Sequence, residues 1–62
     1  MRILDEITEL NLYFVEQELP KVTFYEGYCG ETKLFQVKKN FDEAVRLWAN
    51  EVSNYVKQQE VA

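Results

Sequence analysis

The clearest structural signal in the sequence runs from Asn40 to Lys57 and reads NFDEAVRLWANEVSNYVK. Asn40 is a favoured helix N-cap, and Asp42 and Glu43 follow it in the first turn, where the helix dipole favours negative charge. Apolar residues then recur every three or four positions, as on one side of a helix. They are Phe41, Ala44, Val45, Trp48, Val52, Tyr55 and Val56. The stretch therefore predicts a long amphipathic helix.

Two runs of strand-forming residues precede this helix, Val22–Tyr28 and Thr32–Lys38. Between them, Gly30 can supply the positive φ that a tight hairpin turn requires. The two runs therefore predict a β-hairpin. A two-residue turn pairs Cys29 with Thr32, Tyr28 with Lys33, Glu26 with Phe35, and Phe24 with Val37. This register collects Val22, Phe24, Phe35 and Val37 on one apolar face.

A first segment, Ile3–Leu19, also shows helical spacing. Its apolar residues at positions 3, 7, 10 and 14 follow the spacing of one helix face, and Pro20 ends the pattern. We therefore predict a first helix here. A strand across residues 9–16 is the alternative, because leucine and phenylalanine also alternate there and several residues favour strands.

Together these elements predict an α+β fold in a single domain of residues 1–62. The predicted order is helix, β-hairpin, helix (αββα), with both helices packed on one face of the hairpin, because a two-stranded sheet is marginal alone. A chain of 62 residues buries only about 60% of the surface that it exposes when unfolded. Its two predicted strands are also open edges. We therefore predict a homodimer.

The residue types present argue against the common forms of catalysis. The chain has no histidine and one cysteine, Cys29, so no Ser-His or Cys-His nucleophile pair can form. Nor can it build an internal disulfide or a usual zinc site. Its two glycines, Gly27 and Gly30, fit no phosphate-binding motif. We predict a protein without enzymatic activity, catalytic residues, cofactor or metal, in which Cys29 is a small turn residue.

The net charge is −4, and the first 20 residues carry all of it, with Arg2 as their one basic residue. If this segment is a helix, one outward face holds Asp5, Glu9, Leu12 and Glu16, with Tyr13 at its margin. Such a face is either a solvated surface or a docking site for a basic partner protein. Tyr25 and Leu34, on the predicted outer face of the hairpin, form a second candidate docking site.

We therefore predict a small acidic regulator, adaptor or inhibitor that binds another protein and acts by occlusion or recruitment. One alternative is single-stranded nucleic-acid binding through Lys33, Lys38, Lys39, Tyr25 and Tyr28, which the net charge opposes. A second alternative is a structural subunit of an assembly. The lone cysteine and the lack of a long apolar stretch indicate a cytoplasmic protein that enters no membrane.

Overall fold

The computed structural model describes residues 1–60, which form one antiparallel sheet and one α-helix. The strands are β1 (Arg2–Ile7), β2 (Leu12–Glu18), β3 (Thr23–Cys29) and β4 (Thr32–Lys38), and the helix is α1 (Phe41–Glu60). A 3₁₀ turn at Thr8–Leu10 joins β1 to β2. The strands lie in the sheet in chain order, and α1 packs against one face.

The predicted αββα fold is wrong, because the first segment forms two paired strands instead of a helix. Asn11 reverses the chain between them with a left-handed φ of 58°, a conformation that asparagine tolerates better than most residues. In β2, Leu12 and Phe14 face the helix while Val15 is buried on the other side. A short strand buried on both sides imitates helical spacing. The alternative, a strand across residues 9–16, is nearer to the observed β2.

The hairpin of β3 and β4 is confirmed, and Gly30 has the positive φ, 60°, at its turn. The first two pairs beyond the turn are the predicted ones, Cys29 with Thr32 and Tyr28 with Lys33. Leu34 then forms a bulge in β4, which shifts every later pair. The predicted register is wrong from that point, because Tyr25 and not Phe24 lies opposite Val37. Phe24 therefore points away from α1.

Each edge strand of the sheet contains one bulge. Leu4 is the extra residue in β1, between the pairs formed by Ile3 and Asp5, and Leu34 is the extra residue in β4. Both leucines pack against the core. A bulge interrupts the hydrogen-bond ladder and twists an edge strand, which hinders its pairing with another chain.

The predicted helix is confirmed, and so is its N-terminal cap. The side-chain Oδ1 of Asn40 accepts a hydrogen bond from the backbone N–H of Glu43 at 3.0 Å, and its carbonyl oxygen accepts one from Ala44 at 3.1 Å. Lys39 has a φ of 66° and redirects the chain from β4 into the helix. As a result, α1 begins immediately after the residue that the sequence identifies as its cap.

The core lies between α1 and the sheet. Its buried apolar side chains are Leu12, Phe14, Val37, Ala44 and Trp48. The indole ring of Trp48 stacks on Phe14 with ring centroids 5.5 Å apart, and its Nε1–H donates to the Asp5 carboxylate at 2.9 Å. Burial of one large aromatic side chain removes about 150 to 250 Å² from water. Trp48 therefore joins the helix to both β1 and β2.

Candidate protein-binding face

One face of the sheet packs against α1, and no other element of residues 1–60 covers the opposite face, which we call the open face. Directly paired residues of antiparallel strands point to the same side of a sheet. By this rule the open face contains Ile3, Glu6, Tyr13, Val15, Gln17, Phe24, Glu26, Tyr28, Lys33, Gln36 and Lys38. It mixes aromatic, apolar and charged side chains, as protein interfaces do.

Two tyrosines form a fixed pair on the open face. Tyr13 of β2 lies opposite Tyr28 of β3, and their rings stack with centroids 5.1 Å apart and planes 12° from parallel. The Tyr13 hydroxyl donates to the carbonyl oxygen of Gly30 at 2.6 Å, and the Tyr28 hydroxyl donates to Glu26 Oε1 at 3.0 Å. Both residues are half-buried. The rings are thus held in one orientation while part of each stays accessible.

Glu26 lies at the centre of a polar network beside this pair. It is only 4% exposed, and its carboxylate accepts from the Tyr28 hydroxyl, from Gln36 Nε2 at 2.7 Å and from Lys33 Nζ at 3.0 Å. Val15, which pairs with Glu26, is fully buried although no element lies above it. The surrounding side chains of the open face therefore provide the cover themselves.

The network shifts the protonation equilibria of its members. Burial is the largest single influence on Glu26 and raises its pKa, but the hydrogen bonds from Lys33, Tyr28 and Gln36 outweigh burial, so the pKa lies below its ordinary value. The hydrogen bond to Glu26 raises the pKa of Lys33. Burial, followed by the hydrogen bond to Glu26, raises the pKa of Tyr28. At neutral pH the network is an ionised carboxylate, an ammonium group and a neutral phenol.

Three exposed carboxylates lie at one end of the open face, which we call the acidic end. Glu6 lies beside the tyrosine pair in β1, Glu9 lies in the 3₁₀ turn, and Glu31 lies in the turn between β3 and β4. These two turns are adjacent, because the backbone N–H of Gly30 donates to the carbonyl oxygen of Asn11 at 2.9 Å. The acidic end therefore extends the open face with negative charge.

Four of the seven predicted partner-binding residues contact α1 or the core between α1 and the sheet. Leu12 is fully buried in the core, and Leu34 packs against it. The Tyr25 ring contacts Phe41 edge-on, with centroids 5.3 Å apart. Asp5 accepts the indole hydrogen bond from α1. The outward helical face that grouped Asp5 with Leu12 does not exist, and these four residues instead serve the contact between sheet and helix.

The other three predicted residues do not form one surface. Tyr13 belongs to the open face, and Glu9 lies in the 3₁₀ turn at the acidic end. Glu16 pairs with Tyr25 and so lies on the side of the sheet that faces α1, where its carboxylate forms an ion pair with Arg2 at 3.0 Å and its side chain is only 15% exposed. The helix that grouped these three residues in the sequence analysis is absent.

The lysines and tyrosines proposed for nucleic-acid binding do not form one surface. Tyr28, Lys33 and Lys38 share the open face, but Tyr25 points to the opposite side, toward α1. The charge of Lys33 is also matched by its ion pair with Glu26. Only part of the predicted cluster therefore remains available to a phosphate backbone.

Sequence reasoning missed the central role of Glu26, which it named only as the pairing partner of Phe35 in the predicted hairpin. A usable signal was present. The predicted pairing of Tyr28 with Lys33 was correct, and in a strand the residue two positions before Tyr28 points to the same side. Glu26 is that residue, so its carboxylate had to lie within diagonal reach of the Lys33 ammonium group.

Cys29 is the last residue of β3 and is half-buried. Its thiol donates to the carbonyl oxygen of Leu10 at 3.8 Å. A hydrogen bond with this thiol, followed by burial, raises the pKa of the Tyr55 phenol on α1. Cys29 therefore belongs to the contact between the sheet and the helix.

Comparison with known proteins gives no relative, because no protein-family model, curated protein or solved structure matches this chain. Residues 1–60 contain no detectable pocket and no cluster of side chains able to hold a metal ion. Within the same residues, no helix has the length and apolar character needed to cross a membrane. The open face and the acidic end are the candidate functional surfaces of these residues.

Proposed function

We propose that this chain is a non-enzymatic protein-binding module whose open face contacts a basic surface of a partner protein. The tyrosine pair carries this proposal. Tyr13 and Tyr28 are held by their stacking and their hydrogen bonds, yet both stay partly accessible. Tyrosine offers a large and rigid contact area with little conformational entropy to lose on binding, which is why it is enriched at interfaces.

The acidic end supports a basic partner over a neutral one. Glu6 pairs with Tyr13, Glu9 and Glu31 lie in the two adjacent turns at the same end of the sheet, and all three are exposed. An arginine or lysine placed there can contact a tyrosine ring and a carboxylate together. The net charge of −4 also attracts a basic surface over longer distances. Charge complementarity and a fixed aromatic contact are thus offered at the same place.

In this proposal the chain acts as a small regulator, adaptor or inhibitor. By binding the basic surface of a partner protein, the open face either occludes that surface or recruits the partner to a further component. We also propose a cytoplasmic location, because Cys29 is a free thiol and a reducing compartment keeps thiols in that state.

Single-stranded nucleic-acid binding is the less favoured alternative. Tyr28 and Lys38 on the open face would serve it, but Lys33 is neutralised by Glu26 and the net charge repels phosphate. A titration with single-stranded oligonucleotides at about 50 mM salt, where phosphate contacts are strong, distinguishes the two functions. Saturable binding of the oligonucleotide would favour this alternative over a protein partner.

The protein-binding proposal can be tested with a short arginine–glycine peptide as a probe. Backbone amide resonances are followed during titration at about 10 mM salt, where charges act over roughly 30 Å. We expect the shifts to concentrate on Glu6, Glu9, Tyr13, Tyr28 and Glu31. A glutamate–glycine peptide of the same length serves as the control probe. Shifts spread evenly over all the carboxylates, or no shifts at all, would refute the assignment.

A matched pair of variants separates local charge from total charge. Glu9→Gln with Glu31→Gln removes two charges from the acidic end and should weaken binding of the arginine peptide. Glu18→Gln with Glu43→Gln removes two charges elsewhere and should have a smaller effect. Equal weakening in both double variants would mean that only net charge matters.

The role of the tyrosine pair needs its own variant. Tyr13→Leu removes the stacked ring but keeps an apolar side chain at that position. We expect weaker binding of the arginine peptide in a protein whose circular dichroism spectrum is unchanged. Unchanged affinity in a folded Tyr13→Leu protein would show that the tyrosine pair is not the contact surface.

A further inference from the structure

The half of the open face that lies opposite the acidic end is apolar. Leu19 and Val22 exchange two backbone hydrogen bonds, of 2.9 and 3.4 Å, across the tight turn between β2 and β3. They lie two residues beyond Gln17 and Phe24, which pair on the open face, so they extend that face. Leu19 is 50% exposed, and Val22 and Phe24 are partly exposed. We call Leu19, Val22 and Phe24 the apolar end.

The apolar end carries positive charge on the open face. Lys21 is exposed in the turn between β2 and β3, and Lys38, also exposed, pairs with Phe24. Glu18 is a carboxylate at the same end, but it pairs with Thr23 on the side that faces α1. The two carboxylates in the first turn of α1 also lie on that side of the sheet. The open face is therefore acidic at one end and basic at the other.

This distribution makes the open face complementary to itself. Phe24 and Tyr28 lie two residues on either side of Glu26 in β3. A two-fold axis that runs across the strands beside Glu26 places Phe24 of one copy over Tyr28 of a second copy. It also places the turn that holds Lys21 over the two turns of the acidic end. A two-fold axis along the strands would instead bring the two acidic ends together, so charge selects the first arrangement.

The polar network of each copy keeps like charges from opposing this contact. Glu26 lies near the axis and faces Glu26 of the second copy, and Lys33 faces Lys38 of the second copy. Within each copy, the ion pair between Glu26 and Lys33, at 3.0 Å, matches both of these charges. The centre of the contact therefore contains no unpaired carboxylate.

The open face is large enough for a weak dimer. Four strands are about 19 Å wide, and the stretch of chain from Asn11 to Leu19 is about 26 Å long. These dimensions give about 500 Å² per copy and about 1,000 Å² for the pair, which is the lower limit for a specific interface. We therefore expect a dimer that dissociates readily.

From this complementarity we infer that the open face of one copy is covered by the open face of a second copy, in a two-fold dimer whose facing strands run in opposite directions. The interface is isologous, as in most homodimers. The inference rests on the proposed function in one respect, because a basic partner that uses the same face has to displace the second copy. Dimerisation thus regulates access to the tyrosine pair.

Sedimentation equilibrium from micromolar to millimolar concentration tests the dimer. We expect the wild-type chain to dimerise and Leu19→Glu to dimerise about tenfold more weakly, because its carboxylate meets the acidic end of the second copy. Leu19 is exposed in the monomer, so the variant should keep its circular dichroism spectrum. Val56→Glu places the same charge at an exposed apolar position of α1, away from the open face, and should dimerise like the wild type.

Two results would overturn the inference. One is a wild-type chain that stays monomeric over the whole concentration range. The other is a folded Leu19→Glu protein that dimerises as strongly as the wild type, which would place the interface on another surface.

Charge reversal tests the direction of the second copy. Lys21→Glu and Glu31→Lys should each weaken dimerisation, and the double variant should restore most of it, because the attraction between the turns is re-formed with its signs exchanged. These differences should fade at about 1 M salt, where charges act over roughly 3 Å. A double variant that dimerises no better than the single variants would contradict the arrangement.

The arginine–glycine peptide separates this inference from the proposed function. Titrated into the dimer, the peptide should bind and shift the equilibrium toward the monomer. Peptide binding by a chain that never dimerises would refute the dimer alone. A dimer that binds no peptide at any concentration of the chain would refute the proposed function alone. A peptide that binds without dissociating the dimer would contradict the shared use of the open face.

Discussion

The two faces of the sheet bury their side chains by different means. On the side of α1, the cover is a separate element, and Leu12, Phe14 and Val37 are buried against Ala44 and Trp48. On the open face no element supplies the cover, yet Val15 and Glu26 are as thoroughly buried. There the neighbouring side chains of the same sheet enclose them. A small domain can therefore hold the side chains on both faces of its sheet in place while building only one apolar core.

The difference in chemistry between the faces has a structural meaning. Apolar packing against α1 is non-directional and depends on area and fit. The hydrogen bonds and ion pair around Glu26 are directional, and each specifies the position of a side chain. The helix side therefore contributes most of the stability, while the open face contributes a defined arrangement of surface groups.

The largest expected loss of stability comes from removing a large side chain from the core between the sheet and α1. Trp48→Ala should cost about 3 to 5 kcal/mol, because it removes the ring that stacks on Phe14 and leaves a cavity. A loss of this size unfolds a domain of marginal stability. Circular dichroism and chemical denaturation measure it. Trp48→Phe, which keeps an aromatic ring but loses the hydrogen bond to Asp5, should cost clearly less.

A smaller destabilisation should follow from adding volume to the packed core on the same side of the sheet. Gly27 pairs with Phe35, and a Cβ atom on Gly27 would overlap the Phe35 ring that lies over it. Gly27→Ala should therefore destabilise the fold by about 1 to 3 kcal/mol. Denaturant unfolding provides the measurement. Restored stability in Gly27→Ala with Phe35→Leu would support the steric explanation, while a neutral Gly27→Ala would contradict the packing described for this side.

The smallest effect, and the one specific to the open face, concerns Glu26. Its pKa in the folded chain lies below the ordinary value of 4.5, so its ionisation stabilises the fold above that pH. This contribution is lost as the pH falls through the folded pKa. Glu26→Gln should cost about 1 kcal/mol at pH 7 and less at pH 3. Unfolding free energies of both proteins across this range give the comparison, and a difference that does not depend on pH would mean that the ion pair contributes nothing.

The sequence was sufficient where the signals are local. Asn40 and Gly30 determine a cap and a turn through their own conformational preferences, and both occur as predicted. The first segment failed because its apolar positions satisfy a helix and a strand buried on both sides equally well. Only pairing with β3, a contact distant in sequence, decides between them.

The candidate site was predictable only in part, for a related reason. The bulge at Leu34 brings Phe35 and Val37 to the same side of the sheet as Tyr25, whereas the predicted register placed them with Phe24. A bulge depends on how the core is filled, and no turn or spacing signal marks it. Tyr13 and Glu9 were grouped by a helix that is absent, so their positions on the open face and in the 3₁₀ turn follow from strand pairing and not from the predicted helical face.

The order of the strands has a consequence for how the domain folds during its synthesis. Each strand pairs with the strand that precedes it in the chain. Such pairings close short loops, and low contact order accompanies rapid folding. The sheet can therefore assemble strand by strand on a nascent chain, but the side formed by Leu12 and Phe14 stays in contact with water until α1 emerges. The greatest risk of aggregation falls in the interval before the helix is synthesised.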